Sequence, residues 1–298
     1  GALRAIMNQL LTHCAAQLSP RPGALRAIMN QLLTHCAAQS SHRPGALRAI
    51  MNQLLTHCAA QSSHRPGAIK AAEALKVKMS DVPMLKYVVL GPGDLDDLMT
   101  LLAKHYFSRE NTYMSVGVTS ATRRDEEDIK QCLESGVSVG SREQTTGRLV
   151  GVALSYIITS NSSWYTDEAK CSTQAEVTMA RILNTTKSRV DLFQDPTVKQ
   201  VLYMDIFCVH PDYGRQGVCK KLVQKCHDLG EERECQMAAG VMTSLYSQKL
   251  CSDLGYEDCA TFHLNTVKET LLDLSTLNTT KFKIMTKYLS TKYKFTYK

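Results

Sequence analysis

Residues Val201–Val223 read VLYMDIFCVHPDYGRQGVCKKLV. The β-branched and aromatic run predicts a strand over Val201–Val209, closed by His210 and Pro211. Asp212 to Gly217 form a turn, and apolar residues at helical spacing predict a helix from Val218 to Glu232 that carries Lys220, Lys221 and Lys225. The first amides of a helix have no intrahelical acceptor. With glycine at 214 and 217 they leave room for a diphosphate to approach the backbone. The neighbouring lysines suit a further phosphate. GxGxxG and GxxxxGK[ST] are both absent, so the turn is neither a dinucleotide fingerprint nor a P-loop.

Working outward, the chain around this segment has the pattern of one three-layer α/β domain. A short strand is predicted at Lys86–Leu90, and a turn and cap at Pro92–Asp94 lead into an amphipathic helix at Leu95–Phe107. Val137–Ser141 and Leu149–Ser160 read as strands joined by a hairpin at Gln144–Gly147. A polar insertion, Asn161–Gln200, holds a predicted helix at Glu168–Leu183, and a further helix precedes Gly255. The domain organisation that follows is repeats at 1–66, a linker at 67–85, the α/β domain at 86–268 and a basic Lys/Thr/Tyr-rich tail at 269–298 with one strand at Lys292–Tyr297.

The repeats are GALRAIMNQLLTHCAAQLSPRP followed by two copies of GALRAIMNQLLTHCAAQSSHRP. Leu3, Ile6, Leu10 and Cys14 and their counterparts recur at helical spacing, and Ser, Pro and Gly end each unit. Two readings stay open: a helical interaction module, or a tandem duplication with no role of its own.

The 44% hydrophobic content of the 298 residues supports a sizeable core. No run of about 18 apolar residues and no signal-peptide pattern occurs, so the expectation is a soluble, cytoplasmic chain without a membrane partner. The eleven cysteines show no CxxC and no Cys/His spacing suited to zinc, which reads as reduced thiols and no metal. The net charge of +7 is spread and lacks the aromatic interleaving of a nucleic-acid module. An anionic small-molecule cofactor accounts for part of it.

The turn resembles the pyrophosphate loop of the GNAT superfamily of acetyltransferases: Arg or Gln, two residues, Gly, one residue, then Gly or Ala. Gly217 matches the central glycine. Gly214 stands where a long side chain is usual, with Arg215 beside it, and Cys219 stands at the last position. HYFSRE (His105–Glu110), CLESGVSVGSREQTTGRLVGVALSYII (Cys132–Ile158) and SLYSQKLCSDLGYE (Ser244–Glu257) occur in the order seen in insect-type arylalkylamine N-acetyltransferases, and the similarity spans about Lys86–Val267.

The resemblance implies a mixed central sheet flanked by helices and acetyl-CoA as co-substrate. The diphosphate would lie on Gly214, Arg215, Gln216, Gly217, Val218 and Cys219, and pantetheine on the backbone of Phe207, Cys208 and Val209. It further implies Glu110 as the base that deprotonates the amine through water. Ser247 and Thr243 would meet the leaving group or cofactor, on one helix face if the helix begins that early. The Tyr that many members place four residues before the closing Gly is replaced by Cys251. The expected reaction is direct acetyl transfer to a small arylalkylamine by a chain that acts as a monomer, with Tyr106, Phe107, Tyr113, Trp164 and Tyr165 walling the aryl site. The alternatives are a catalytically weak CoA-binding or interaction protein, and acetylation of polyamines or protein amines.

Overall fold

The computed structural model describes residues 84–267 and 272–289. The repeats, the strand expected at Lys292–Tyr297 and all but the last two residues of the linker lie outside them. Seven strands form one sheet: β1 (Leu85–Val89), β2 (Val139–Glu143), β3 (Leu149–Thr159), β4 (Gln200–Val209), β5 (Met237–Met242), β6 (Glu257–His263) and β7 (Lys281–Tyr288), in the order β1-β2-β3-β4-β5-β7-β6. All neighbours are antiparallel except β4 and β5, which are parallel. Residues 149–155 of β3 are buried without alternation, as befits a central strand covered on both faces.

On one face lie α1 (Leu95–His105) and α3 (Arg123–Glu134), with the short α2 (Asn111–Ser115) between them in sequence. Leu98, Leu102, Phe107, Ile129 and Leu133 pack there against Val152, Leu154 and Ile206. α5 (Val218–Glu232) puts Val218, Leu222, Val223 and Cys226 on one stripe against Val150, Ala153, Leu202 and Met204. α4 (Gln174–Lys187) sets Ile182 against Phe262 and Phe282, and α6 (Leu245–Asp253) buries Cys251.

The strand and helix predicted around the glycine turn are found within a residue of their expected ends. Three readings need correction. The insertion helix starts six residues later than expected, at Gln174, where Thr173 accepts from the Glu176 amide; residues 168–170 form a 3-10 turn instead. α6 begins at Leu245, so Thr243 precedes the helix and does not share a face with Ser247. The segment assigned to a tail supplies β7, which lies between β5 and β6 in the sheet. Its Lys and Thr residues alternate with Phe282 and Ile284, both fully buried, so a charged composition conceals a period of two.

Candidate active site

β4 and β5 pair only at Val201↔Met237, Leu202↔Ala238 and Tyr203↔Ala239, although β4 continues to Val209 and β5 to Met242. Beyond Tyr203 the strands part into a fork. At its base a Cβ on Gly240 would come within 2.6 Å of the Met204 carbonyl oxygen, so only glycine allows the strands to meet there. On the β3 side, β4 remains paired up to Gly151↔Val209. The other edge of Phe207, Cys208 and Val209 thus faces the opening with its backbone polar groups available to an extended ligand.

The glycine turn lies beyond the end of β4. Arg215 and Gly217 both take positive φ, +59° and +78°. At Gly217 no atom lies within 4 Å of where a Cβ would be, so glycine is required by the backbone conformation and not by crowding. No side chain caps α5, and its ladder begins with the Lys221 amide donating to the Gly217 carbonyl at 3.1 Å. The amides of residues 215–220 are therefore left without a cap, an arrangement that suits an anion. Cys219 is half-buried and burial pushes its thiol up to about 12, so it sits at the cradle as a small neutral residue. The turn is braced by Tyr213, whose hydroxyl donates to Glu143, a carboxylate also held by Arg148 at 2.9 Å. His210 accepts from the Asp212 amide through Nδ1 at 3.3 Å, which is a turn-forming contact.

A cavity of about 200 Å³ opens between α2, α3, α4 and the middle of β4. Tyr106, Tyr113, Trp164 and Tyr165 line it as expected, joined by Tyr156 and Tyr203. Phe107 is fully buried in the core behind Tyr113 and does not wall the site. Glu110 lies at one end as the N-cap of α2: Oε2 accepts from the amides of Thr112 at 2.7 Å and Tyr113 at 3.1 Å. Oε1 accepts from Thr112 Oγ1 at 3.2 Å and from Thr243 Oγ1 at 2.6 Å. Burial raises the Glu110 pKa, and these hydrogen bonds oppose the shift without cancelling it. Glu110 and Thr243 are thus brought together across 133 residues. Asn111 Nδ2 donates to the Thr243 carbonyl at 2.7 Å and helps hold the two segments in register.

Ser247 is occupied differently. It forms a capping box with Ser244, its hydroxyl 3.0 Å from Ser244 Oγ and its amide 3.1 Å from the same oxygen. Asn278, from the segment read as a tail, accepts from the Leu245 amide at 2.9 Å and steadies the same helix start.

Six charged residues lining the cavity, Arg124, Asp125, Asp128, Glu176, Lys187 and Asp205, escaped the sequence reading, and two of them stand out. Asp205 is the residue left over by a β-bulge: Leu154 pairs with Ile206 and Ser155 with Met204, so nothing opposes Asp205. The bulge turns its carboxylate into the cavity, where desolvation by the walls pushes its pKa up to about 6 although the residue as a whole stays exposed. Lys187, the last residue of α4, donates to the Trp164 carbonyl at 2.6 Å and lies 5.2 Å from the Tyr203 ring centroid. Burial lowers it to about 8. A lone carboxylate within VLYMDIF was the available signal for Asp205; Lys187 had none, being one more basic residue at a helix end.

The described residues contain no group of His, Cys, Asp and Glu arranged to hold a metal, and no helix among them is long and apolar enough to cross a membrane. A sequence search of curated proteins finds no match. Among solved structures, the fold is similar to that of arylalkylamine N-acetyltransferase 2 from Aedes aegypti, at 20% identity over 69% of this chain and 99% of that one, TM-score 0.63. A mosquito arylalkylamine N-acetyltransferase-like 5b gives 20% identity over 69% and 100%, TM-score 0.63. Polyamine N-acetyltransferase from Drosophila melanogaster, which forms N-acetylagmatine, gives 15% over 69% and 100%, TM-score 0.61. The model of the acetyltransferase (GNAT) family matches residues 102–256, a stretch that holds the fork, the uncapped helix start, Glu110 and Asp205. The chain therefore belongs to the GNAT family of acetyltransferases and is an acyl-CoA-dependent N-acetyltransferase with acetyl-CoA as its co-substrate.

Proposed function

We propose that the enzyme acetylates the primary amine of a small arylalkylamine by direct attack. The observation that carries this reading is the cavity wall: six aromatic side chains surround a space with a carboxylate, Glu110, at one end. Such a wall gives an aryl ring apolar contact and favours its edge-to-face packing.

Five carboxylates line the cavity, namely Glu110, Asp125, Asp128, Glu176 and Asp205, against the cations Arg124 and Lys187. That excess would favour a second reading, a polyamine. Four of the five are already engaged, however. Glu110 caps α2, Asp125 accepts from the Tyr113 hydroxyl, Asp128 pairs with Arg124 at 3.4 Å, and Glu176 accepts from the Ser172 amide at 2.8 Å. The charge offered to a long polycation is smaller than the count implies, and the aromatic walls favour an arylalkylamine.

Acetyl-CoA supplies the acetyl group as a thioester. The uncapped amides of Arg215, Gln216, Gly217, Val218 and Cys219 fit its diphosphate, whereas the Gly214 amide is taken by the Pro211 carbonyl at 2.9 Å, and the open edge of Phe207, Cys208 and Val209 fits its extended arm. A backbone N–H on that edge is the donor for the acyl oxygen. An ammonium has no lone pair, so the amine must lose a proton before it bonds to carbon. Glu110 takes that proton, through one water, at Oε1, where the Thr243 hydroxyl holds the carboxylate in place. A base with a raised pKa accepts the proton more readily than an ordinary surface carboxylate. Ser247, with Thr243 nearby, is the hydroxyl closest in role to a proton source for the departing thiolate; reorientation away from Ser244 frees it.

Thiol release from acetyl-CoA, followed with phenethylamine, tryptamine, spermidine and a lysine peptide, tests the reading. Turnover is expected with the first two. Turnover with spermidine or peptide alone replaces it with the polyamine or protein-amine reading, and CoA binding with no turnover leaves a CoA-binding protein.

A further inference from the structure

The short helix α2 is seated largely by polar contacts. Its fully buried residues, Asn111, Thr112 and Ser115, are all polar, and Tyr113 adds one half-buried ring. Apolar contact is non-directional, whereas hydrogen bonds fix both the depth and the rotation of so short an element. Burying polar groups is costly unless they find partners, and two distant segments supply them. Asn111 has no exposed surface, and its Nδ2 donates to the Thr243 carbonyl at 2.7 Å, to Asn278 Oδ1 at 3.3 Å and to the Thr279 carbonyl at 3.4 Å. At the other end of α2 the Asp273 amide donates to the Ser115 carbonyl at 2.7 Å.

These contacts converge on Glu110. Thr243 accepts from Asn111 through its carbonyl and donates to Glu110 Oε1 through its hydroxyl at 2.6 Å, so Asn111 holds the backbone of the residue whose side chain meets the carboxylate. Two carbonyls fix the orientation of the Asn111 amide, because a reversed amide would set oxygen against oxygen. Asn278 closes the arrangement. Its Oδ1 accepts from the Leu245 amide at 2.9 Å as well as from Asn111, which joins the start of α6 to the start of α2. Asn278 and Thr279 precede β7 and lie beyond the residues matched by the family model.

Building on the reading of Glu110 as the base, we propose that Asn111 and Asn278 are positioning residues that keep the Thr243 hydroxyl on the Glu110 carboxylate. Burial raises the Glu110 pKa, and the Thr243 hydrogen bond is the largest of the contacts that oppose the rise. The titratable groups coupled to Glu110 are Tyr106 at the end of α1 and Tyr113 on α2, phenols that burial raises well above their ordinary value and so keeps neutral. Asp125 of α3 and Asp205 of β4 act on the same two phenols. Thr243, Ser244, Asn278 and Thr279 carry no titratable side chain. If Asn111 or Asn278 is lost, Thr243 is free to leave Oε1, and the base then keeps its proton to higher pH.

The test is the pH profile of kcat/KM in the full chain, for the best of the amines tried above and with acetyl-CoA saturating. Asn111→Leu keeps the side-chain shape, removes the donor and adds no charge; Thr243→Val removes the hydroxyl. Both should move the acid limb to higher pH, with kcat/KM falling about threefold or more at a pH of about 5 and less on the plateau above it. The double variant should move the limb no further than either single one, because both break the same linkage. Asn278→Ala, at an exposed position, should move it in the same direction by less. An equal loss at every pH, as loosening alone would give, overturns the proposal, and so does an acid limb that neither Asn111→Leu nor Asn278→Ala moves. Where Asn111→Leu does not fold, Asn278→Ala decides alone. Glu110→Gln separates the two levels of the argument: a limb that survives it removes the base reading and the proposal together, whereas a limb lost there and unmoved in the asparagine variants overturns the proposal only.

Discussion

The enzyme has two helix starts near its active site, and they are finished in opposite ways. α6 is closed by its own sequence: Ser244 and Ser247 exchange hydrogen bonds, and Asn278 takes the Leu245 amide. α5 is left open, with Gly217 in the left-handed region and no side chain over its amides. Capping residues stabilise a helix by about 1 kcal/mol, so an uncapped start on a well-packed helix is a stability forgone. The contrast separates backbone left open, as a ligand would need it, from backbone completed on folding.

The largest expected effect breaks the open start. Gly217→Val forces a β-branched residue to φ near +78°, so the turn must rearrange and the amides diverge. CoA affinity by calorimetry is expected to fall about 100-fold, roughly 2.7 kcal/mol; unchanged affinity would mean that the diphosphate is held elsewhere.

Glu110 stands on the border of the comparison, being a cap and the proposed base at once. Glu110→Gln keeps an acceptor for α2 but no longer takes a proton, and kcat/KM for the amine is expected to fall about 100-fold. In the wild type, activity is lost as pH falls through the Glu110 pKa, which burial places above the ordinary carboxylate value. That acid limb should vanish in the glutamine variant, and a limb that persists assigns deprotonation to another group.

Ser244→Ala opens the closed start. Thermal unfolding should report a loss of about 1 kcal/mol, with CoA affinity changed less than about twofold; a loss of affinity comparable to that in Gly217→Val would erase the distinction between the two helices. The smallest effect is a gain. Asp205 titrates at about 6 in the folded chain against 3.8 for a free side chain, so between those values the native state keeps a proton that the unfolded chain has shed. Stability contributed by this residue therefore falls as pH rises from about 4 to about 6. Asp205→Asn should be more stable at pH 7.5 by less than about 1 kcal/mol, because cavity water screens part of the charge, and no more stable at pH 3.5.

The parts of this architecture that are legible in the sequence are those whose signal is local. The strand, turn and helix around Gly217 follow from β-branched runs, glycine placement and helical spacing within 23 residues. α3 is nearly invisible because RRDEEDIKQCLE buries only Ile129, Cys132 and Leu133, which leaves a short apolar stripe on a charged surface. β5, MAAGVM, is built of small residues that the crowded centre of the sheet requires and that carry little strand preference. The amine cavity is the least legible feature. Its walls come from segments between Tyr106 and Thr243, and no linear pattern records that Asp205 and Lys187 both line it.

The placement of β7 has a consequence for how the enzyme comes into being. Because Lys281–Tyr288 is inserted between β5 and β6, a nascent chain that has emerged as far as Val267 exposes two strand edges with a gap between them, flanked by the apolar faces of Val241 and Phe262. Such edges are templates for association with other chains. Completion of the sheet has to wait for β7 to be synthesised, and a stop codon between Val267 and Lys281 would release a protein with every residue proposed for acyl transfer and no closed sheet to hold it.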